Sequence, residues 1–349
     1  MRPLNVYACY NKSTESRMDS SSGAIFSLLA EYVLSKECIV YGVGMSEDCY
    51  SAEFVRVSQK TELAKLRGSK YLQAKVGMTF RRVRTDLSDG RLVLFSGTGC
   101  QVNGLRNFLG KKQDNLICID IICHGVPSPA LWRKYVEYLE EKEGGKLKYI
   151  NFRSKDNTWE DFRVKKLVGT QSPRKIKRLY ISKSADAYMQ MFLRDYCLRP
   201  SCYACQAKEV KQSDLTIADF WGIDKVAPEM NDGRGVSLVL IRNEMGQKIL
   251  EMISDKVKMR EVTYEEGVAA NPSEYLSVTK PRQRDVFFQD MGNKKFDELE
   301  KQYVPPIKVS LKNKVKRKIR NIIKQASKSN EKMQIMDYSL YFVFECERK

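Results

Sequence analysis

Arg91-Leu-Val-Leu-Phe-Ser-Gly-Thr-Gly-Cys100 is the stretch from which the fold is read. Asp89-Gly90 before it is a turn signal. The apolar run Arg91 to Ser96 reads as a buried strand. Gly97-Thr98-Gly99-Cys100 is a tight loop. Gln101 to Leu109 is a helix, with Val102, Leu105, Phe108 and Leu109 on its core face. Leu116 to Ile122 is a second buried strand, ending at Cys123-His124-Gly125. A strand–helix–strand unit makes the two strands parallel, with a right-handed crossover. The fold class is therefore α/β, with a mixed, mainly parallel sheet and flanking helices. In such sheets ligands collect at the carboxyl ends of the strands. Cys100 and Cys123 each lie just past such an end. Neighbouring strands are about 4.8 Å apart, so the two sulfurs converge if these strands are neighbours.

Working outward, more thiols follow in Cys197-Leu-Arg-Pro-Ser-Cys202-Tyr-Ala-Cys205. One loop with this spacing can wrap its sulfurs around a single centre. Thiolates select zinc or iron–sulfur clusters, and C-x4-C-x2-C with a distant fourth thiolate is a known cluster arrangement. Cys100, Cys123, Cys202 and Cys205 make four metal ligands, with Cys197 in reserve. Cys118 lies within a strand and belongs to the core. Cys9, Cys38, Cys49 and Cys346 have no ligand spacing. His124 is the only histidine. It is either an ordinary hydrogen-bonded polar residue or, beside a candidate ligand, a proton donor or a support for that ligand.

The chain has 349 residues, 42% of them apolar, enough for one large or two modest domains. Met1 to Ser22 has no signal-peptide apolar region and no run approaches a membrane span. Clustered cysteines then point to metal or redox work in a reducing cytoplasm. The net charge is +18, and Lys308 to Lys328 holds nine Lys or Arg without an acid. Within it Leu311, Val315, Ile319, Ile322 and Ile323 repeat at helical spacing. This basic amphipathic helix either lies on an anionic membrane at its inner face or is a solvated tail. No basic–aromatic stripe reads as a nucleic-acid surface.

The remaining elements follow in order. Asn5 to Tyr10 is a strand. Ser20-Ser21-Ser22-Gly23-Ala24 opens a helix with Ile25, Leu28, Leu29, Tyr32 and Val33 on one face. Such serines cap free N–H groups, and a helix start of this kind also suits an anion. Cys38 to Val43 and Glu53 to Val57 are strands. Gly68-Ser69-Lys70-Tyr71-Leu72-Gln73 groups a cation, a phenol and an amide. Pro127-Ser128-Pro129 starts a helix to Glu143 with Trp132, Tyr135, Val136 and Leu139 inward. Tyr149 to Arg153 and Phe162 to Leu167 are strands, and residues 169 to 178 a basic hairpin tip or loop. Ala185 to Leu193 is a helix leading into the cysteine loop, residues 194–222. Asp214 to Ala218 and Ser237 to Ile241 are strands, followed by a helix from Glu244 to Ile253. The domain boundaries are 1–295 and a tail over 304–349.

Taken together, SSSGAIFSLLAEYV, LRGSKYLQ, LFSGTGCQVNGL, DIICHGVPSP, CLRPSCYAC, SDLTIADFWGI and GVSLVLI resemble, in family order, the coenzyme F420 hydrogenase/dehydrogenase beta-subunit family of iron–sulfur flavoproteins. The resemblance spans roughly residues 5 to 290. It implies FAD beside a [4Fe–4S] cluster, with Cys100, Cys123, Cys202 and Cys205 as its ligands. It also implies a flavin site drawing on Ser21, Ser22, Gly23, Lys70, Tyr71, Gln73, Thr98 and Trp221. Three departures stand out. Gly99 replaces the usual proline, which loosens the loop. Ala24 replaces a second glycine. The ferredoxin-like segment at the start of many relatives is not in this sequence.

The function expected is oxidoreduction through FAD and the cluster, between a ferredoxin-type partner or coenzyme F420 and a small organic substrate, in a setting such as polysaccharide biosynthesis. The other reading is a zinc- or cluster-stabilised accessory protein of glycan assembly without redox work. A separate ferredoxin or ferredoxin-like subunit is the expected partner, since these cysteines make up only one ligand set.

Overall fold

Unbroken apolar runs along short strands dictate a sheet covered on both faces. In the computed structural model, which describes residues 2–156, 158–170, 176–304 and 306, this is what the chain builds. The strands in chain order are β1 (Asn5–Asn11), β2 (Ile39–Met45), β3 (Ala52–Val57), β4 (Ala74–Lys75), β5 (Val93–Thr98) and β6 (Leu116–Ile121). Then come β7 (Gly145–Ser154), β8 (Arg163–Thr170), β9 (Ile176–Ser182), β10 (Leu215–Asp219), β11 (Ser237–Ile241) and β12 (Val257–Glu261). Nine of them form one sheet in the order β12-β1-β11-β10-β6-β5-β2-β3-β4, and β7-β8-β9 form a second. The centre of the large sheet, β10-β6-β5-β2, is parallel throughout. Antiparallel strands extend it on both sides. The mixed, mainly parallel sheet expected from the sequence is present.

Strand periodicity assigns the two faces. On β5, Val93 and Phe95 enter one core and Leu94 the other; on β2, Ile39 and Tyr41 part from Val40 in the same way. The first core takes the helix Pro129–Glu143, whose Trp132, Tyr135, Val136 and Leu139 are all buried. The second takes the helices Ile25–Leu34 and Glu244–Glu251. A third group, with Trp159 and Phe220, covers β1 and β11.

Several boundaries differ from expectation. The helix after β5 starts at Gly99, not Gln101. Gln101 Oε1 accepts from Thr98 N at 2.9 Å and fixes the turn that Gly99 was expected to loosen. Phe108 is 39% exposed and so is not a core residue. Of the two readings of 169–178 the hairpin holds: Thr170 ends β8 and Ile176 begins β9, and the two strands pair antiparallel. The helices Thr79–Ser88, Arg284–Asn293 and Phe296–Tyr303 and the strand β12 were not foreseen. Phe296, Leu299 and Tyr303 are buried in the first core, so the body runs to Val304 rather than 295. The expected helix from Val309 to Ile323 and Cys346 lie outside the described residues. Among the described residues, no helix is long and apolar enough to cross a membrane.

Candidate functional site

β5 and β6 are neighbours, with Gly97 opposite Asp120 and Thr98 opposite Ile121. Their ends therefore deliver Cys100 and Cys123 to the same edge of the sheet. The cysteine loop reaches that edge through two short 3-10 turns, Pro200–Ala204 and Gln206–Lys208. Val126 N points at Cys202 Sγ (3.5 Å), and Cys205 N donates to Ser277 Oγ (3.0 Å). Gly125, at φ 153, makes the approach possible: a Cβ there would lie 2.8 Å from Leu198 Cδ1 and 3.5 Å from Cys202 Cβ.

The thiols feel one another. Burial pushes Cys123 up to about 12, and Cys100 and Cys202 push the same way against the Lys208 ammonium. Cys202 is raised by burial and then by Cys100 and Cys205. Cys100 is exposed, and Cys123, Cys202 and Cys205 are half-buried. Cys197, the reserve candidate, sits elsewhere. It is fully buried in the aromatic core near Tyr188, and its carbonyl accepts from Ser128 N at 2.8 Å. Among the described residues, no group of three or more His, Cys, Asp or Glu has the arrangement to hold a metal ion. Lys208, which sequence reading did not single out, ties the Cys123 backbone to the loop at Ser273. Its Nζ donates to Cys123 O at 2.5 Å and also to Ser273 O.

Beside these thiols lies a cavity of about 650 Å³ at the carboxyl ends of the parallel strands. That size suits a small-molecule or cofactor site. Cys123 and His124 line it, as do Ser21, Ser22, Lys70, Tyr71, Thr98 and Trp221. Gly23 and Gln73 are not among its lining residues. Gly23 is instead a close-approach position: a Cβ there would lie 2.4 Å from Cys9 O. The serines are partly engaged, since Ser21 Oγ accepts from Ser69 N (2.8 Å) and Ser22 Oγ donates to Val236 O (2.8 Å). Lys70 turns its Nζ to the carbonyls of Arg67 (2.7 Å) and Leu66 (3.0 Å), and burial lowers it to about 7. His124 Nε2 lies 2.6 Å from Asp195 Oδ1, with its ring edge-on to Phe192.

The far wall comes from the small sheet. Arg153, buried, pairs through two bonds with Asp219. Its guanidinium lies 4.0 Å from the Phe162 ring centre and 5.0 Å from that of Trp221. Trp221 stacks on Trp159 at 5.0 Å and 6°. Next to it Lys155 Nζ donates to three carbonyls, of Arg17, Ser22 and Arg234, at 2.6 to 2.7 Å. None of these contacts has a local sequence signal, because each joins residues far apart in the chain.

The carboxyl-terminal profile of the family described as "Coenzyme F420 hydrogenase/dehydrogenase, beta subunit" matches residues 90–266. The chain belongs to the coenzyme F420 hydrogenase/dehydrogenase beta-subunit family. The amino-terminal profile of the same family matches residues 6–79. The two profiles bracket the cavity: the first supplies Cys100, Cys123 and the cysteine loop, the second the serine turn and Lys70. No curated protein matches the chain. Thirteen chains of solved structures do. One belongs to the F420-reducing [NiFe] hydrogenase complex of Methanosarcina barkeri, solved as a xenon derivative. It is 14% identical with a TM-score of 0.50, covering 86% of this chain and 91% of its own. That likeness is one of fold. The family is one of oxidoreductase subunits, and the fold neighbour comes from a multi-subunit assembly.

Proposed function

We propose that this chain is an iron–sulfur flavoprotein oxidoreductase, with FAD in the 650 Å³ cavity and a [4Fe–4S] cluster on Cys100, Cys123, Cys202 and Cys205. The observation that carries this reading is the position of Cys123. It lines the cavity, and Cys100 and Cys202 act on it directly, with Cys205 acting on Cys202. An all-thiol donor set suits an iron–sulfur cluster. Each thiolate of a cubane binds its own iron, so the four lie further apart than ligands of one ion. Flavin, when bound, takes up a hydride and releases electrons singly.

The chain's own residues supply position and field. Ser21, Thr98, Tyr71 and Trp221 line the cavity. Arg153 holds the wall they share. His124, held at Nε2 by Asp195, lines the cavity next to Cys123. The electron partner in this reading is a ferredoxin or ferredoxin-like subunit, and the other reactant is a small organic substrate or coenzyme F420. The basic charge of the chain favours an acidic partner.

Anaerobic purification followed by visible spectroscopy and metal analysis tests the proposal. Flavin bands over a broad iron–sulfur absorbance are expected. Colourless protein containing zinc would overturn it in favour of a structural accessory role.

A further inference from the structure

We propose that the exposed face of the helix Gly99–Leu109, together with the arginines of the helix Thr79–Ser88, is the docking surface for an acidic iron–sulfur electron-transfer protein. This rests on the reading of Cys100 as a cluster ligand and adds the place where electrons cross the protein surface.

Cys100 is exposed at the start of its helix. At about 100° per residue, Gly104, Asn107 and Phe108 fall on the same side. Phe108, about 12 Å along the axis from Cys100, is 39% exposed although it was expected in the core. What holds it at the surface is the neighbouring helix. Phe80 packs against its ring at 5.9 Å, and the Arg84 guanidinium lies over it at 4.8 Å. Arg81, three residues before Arg84 and so on the same flank of the helix, is exposed like it, and among the described residues neither makes an ion pair. The acid within that helix, Asp86, is buried and committed to Arg56 through two bonds. Asp89 lies beyond the helix's C-terminal end. The surface therefore offers an aromatic side chain with Arg84 over it and Arg81 nearby, neither neutralised by an acid, with a candidate cluster ligand at one end. Exposed aromatics and arginines are what interface centres favour. Small, salt-sensitive contacts are usual between electron-transfer partners. A partner rich in carboxylates fits this charge, and a basic partner is repelled by it.

The test is the affinity of the full chain for an acidic bacterial two-[4Fe–4S] ferredoxin, measured by titration calorimetry at low and high salt. Arg84→Glu should weaken binding about tenfold or more, and wild-type affinity should fall with salt. Arg178→Glu, the same charge change on exposed β9, should leave binding unaltered. Arg81→Glu, at an exposed position, repeats the test should Arg84→Glu fold poorly. Wild-type chain that binds no ferredoxin, or affinity that ignores both Arg81 and Arg84, overturns the proposal. So does an equal loss in Arg178→Glu. Binding through Arg84 by a chain that carries neither iron nor flavin would contradict the redox reading and leave this surface standing.

Discussion

Arg153 of β7 and Asp219 of β10 face each other in a two-bond ion pair, Nη1 to Oδ2 at 2.7 Å and Nη2 to Oδ1 at 3.0 Å. The pair ties the small sheet to the end of the large one at the cavity wall. Burial opposes the Arg153 charge, but Asp219 and Tyr71 outweigh it and keep the guanidinium protonated. Trp159 Nε1 donates to the same carboxylate at 2.9 Å. Asp219→Asn leaves a buried cation without its counter-charge. A loss of about 3–5 kcal/mol in urea unfolding is expected. Replacing both partners by apolar residues should recover part of it. A loss within about 1 kcal/mol of zero for Asp219→Asn would mean that the pair is not structural.

Acid sensitivity is expected from Asp86. Its burial alone would raise its pKa, but bonds from Arg56 and from the Tyr41 hydroxyl (2.6 Å) overcome this and hold it below the ordinary value. A carboxylate depressed in the folded state stabilises above its unfolded pKa, about 3.9. That contribution is lost as pH falls through the folded value. Stability of the wild type should therefore drop below about pH 4 more steeply than that of Asp86→Asn, which is already weaker at neutral pH. Parallel pH profiles for the two proteins would contradict this.

Ala24 carries φ 66, a left-handed conformation, immediately before the helix Ile25–Leu34. An L side chain there is strained by about 1 kcal/mol. Ala24→Gly should raise the unfolding free energy by a comparable amount, seen as a higher urea midpoint with an unchanged slope of the transition. A lower midpoint would show that the Ala24 methyl contributes more by packing than it costs in strain.

Much of this architecture is legible in the sequence, for identifiable reasons. Strands β5 and β6 are buried on both faces, so they read as unbroken apolar runs, and the helix between them keeps a clear period. Their ends then locate Cys100 and Cys123 without further information. Strand β12 is different. It buries only Val257 and exposes the four residues after it, so it leaves no alternation to detect. Strand β9, at the edge of the small sheet, buries no residue, and for the same reason its start reads only as a basic hairpin tip or loop. Phe108 fits the helical period yet lies at the surface, where it meets Phe80 and Arg84 of another helix instead of the core. The cavity wall was hidden for a third reason. Arg153, Asp219 and Lys155 find partners on other elements, and their roles depend on how the two sheets meet.

The central claim is that four thiols hold a cluster at the edge of a flavin cavity. Iron and flavin content per chain, measured after anaerobic purification of the wild type and of single Cys→Ser variants, tests it most directly. Wild-type protein should carry both cofactors. Cys202→Ser and Cys205→Ser should lose iron. Cys197→Ser should keep iron while losing about 1–3 kcal/mol of stability, because a hydroxyl replaces a fully buried thiol. Cys9→Ser should leave iron content unchanged. Unaltered iron in Cys202→Ser, or loss of iron in Cys197→Ser alone, would contradict the account.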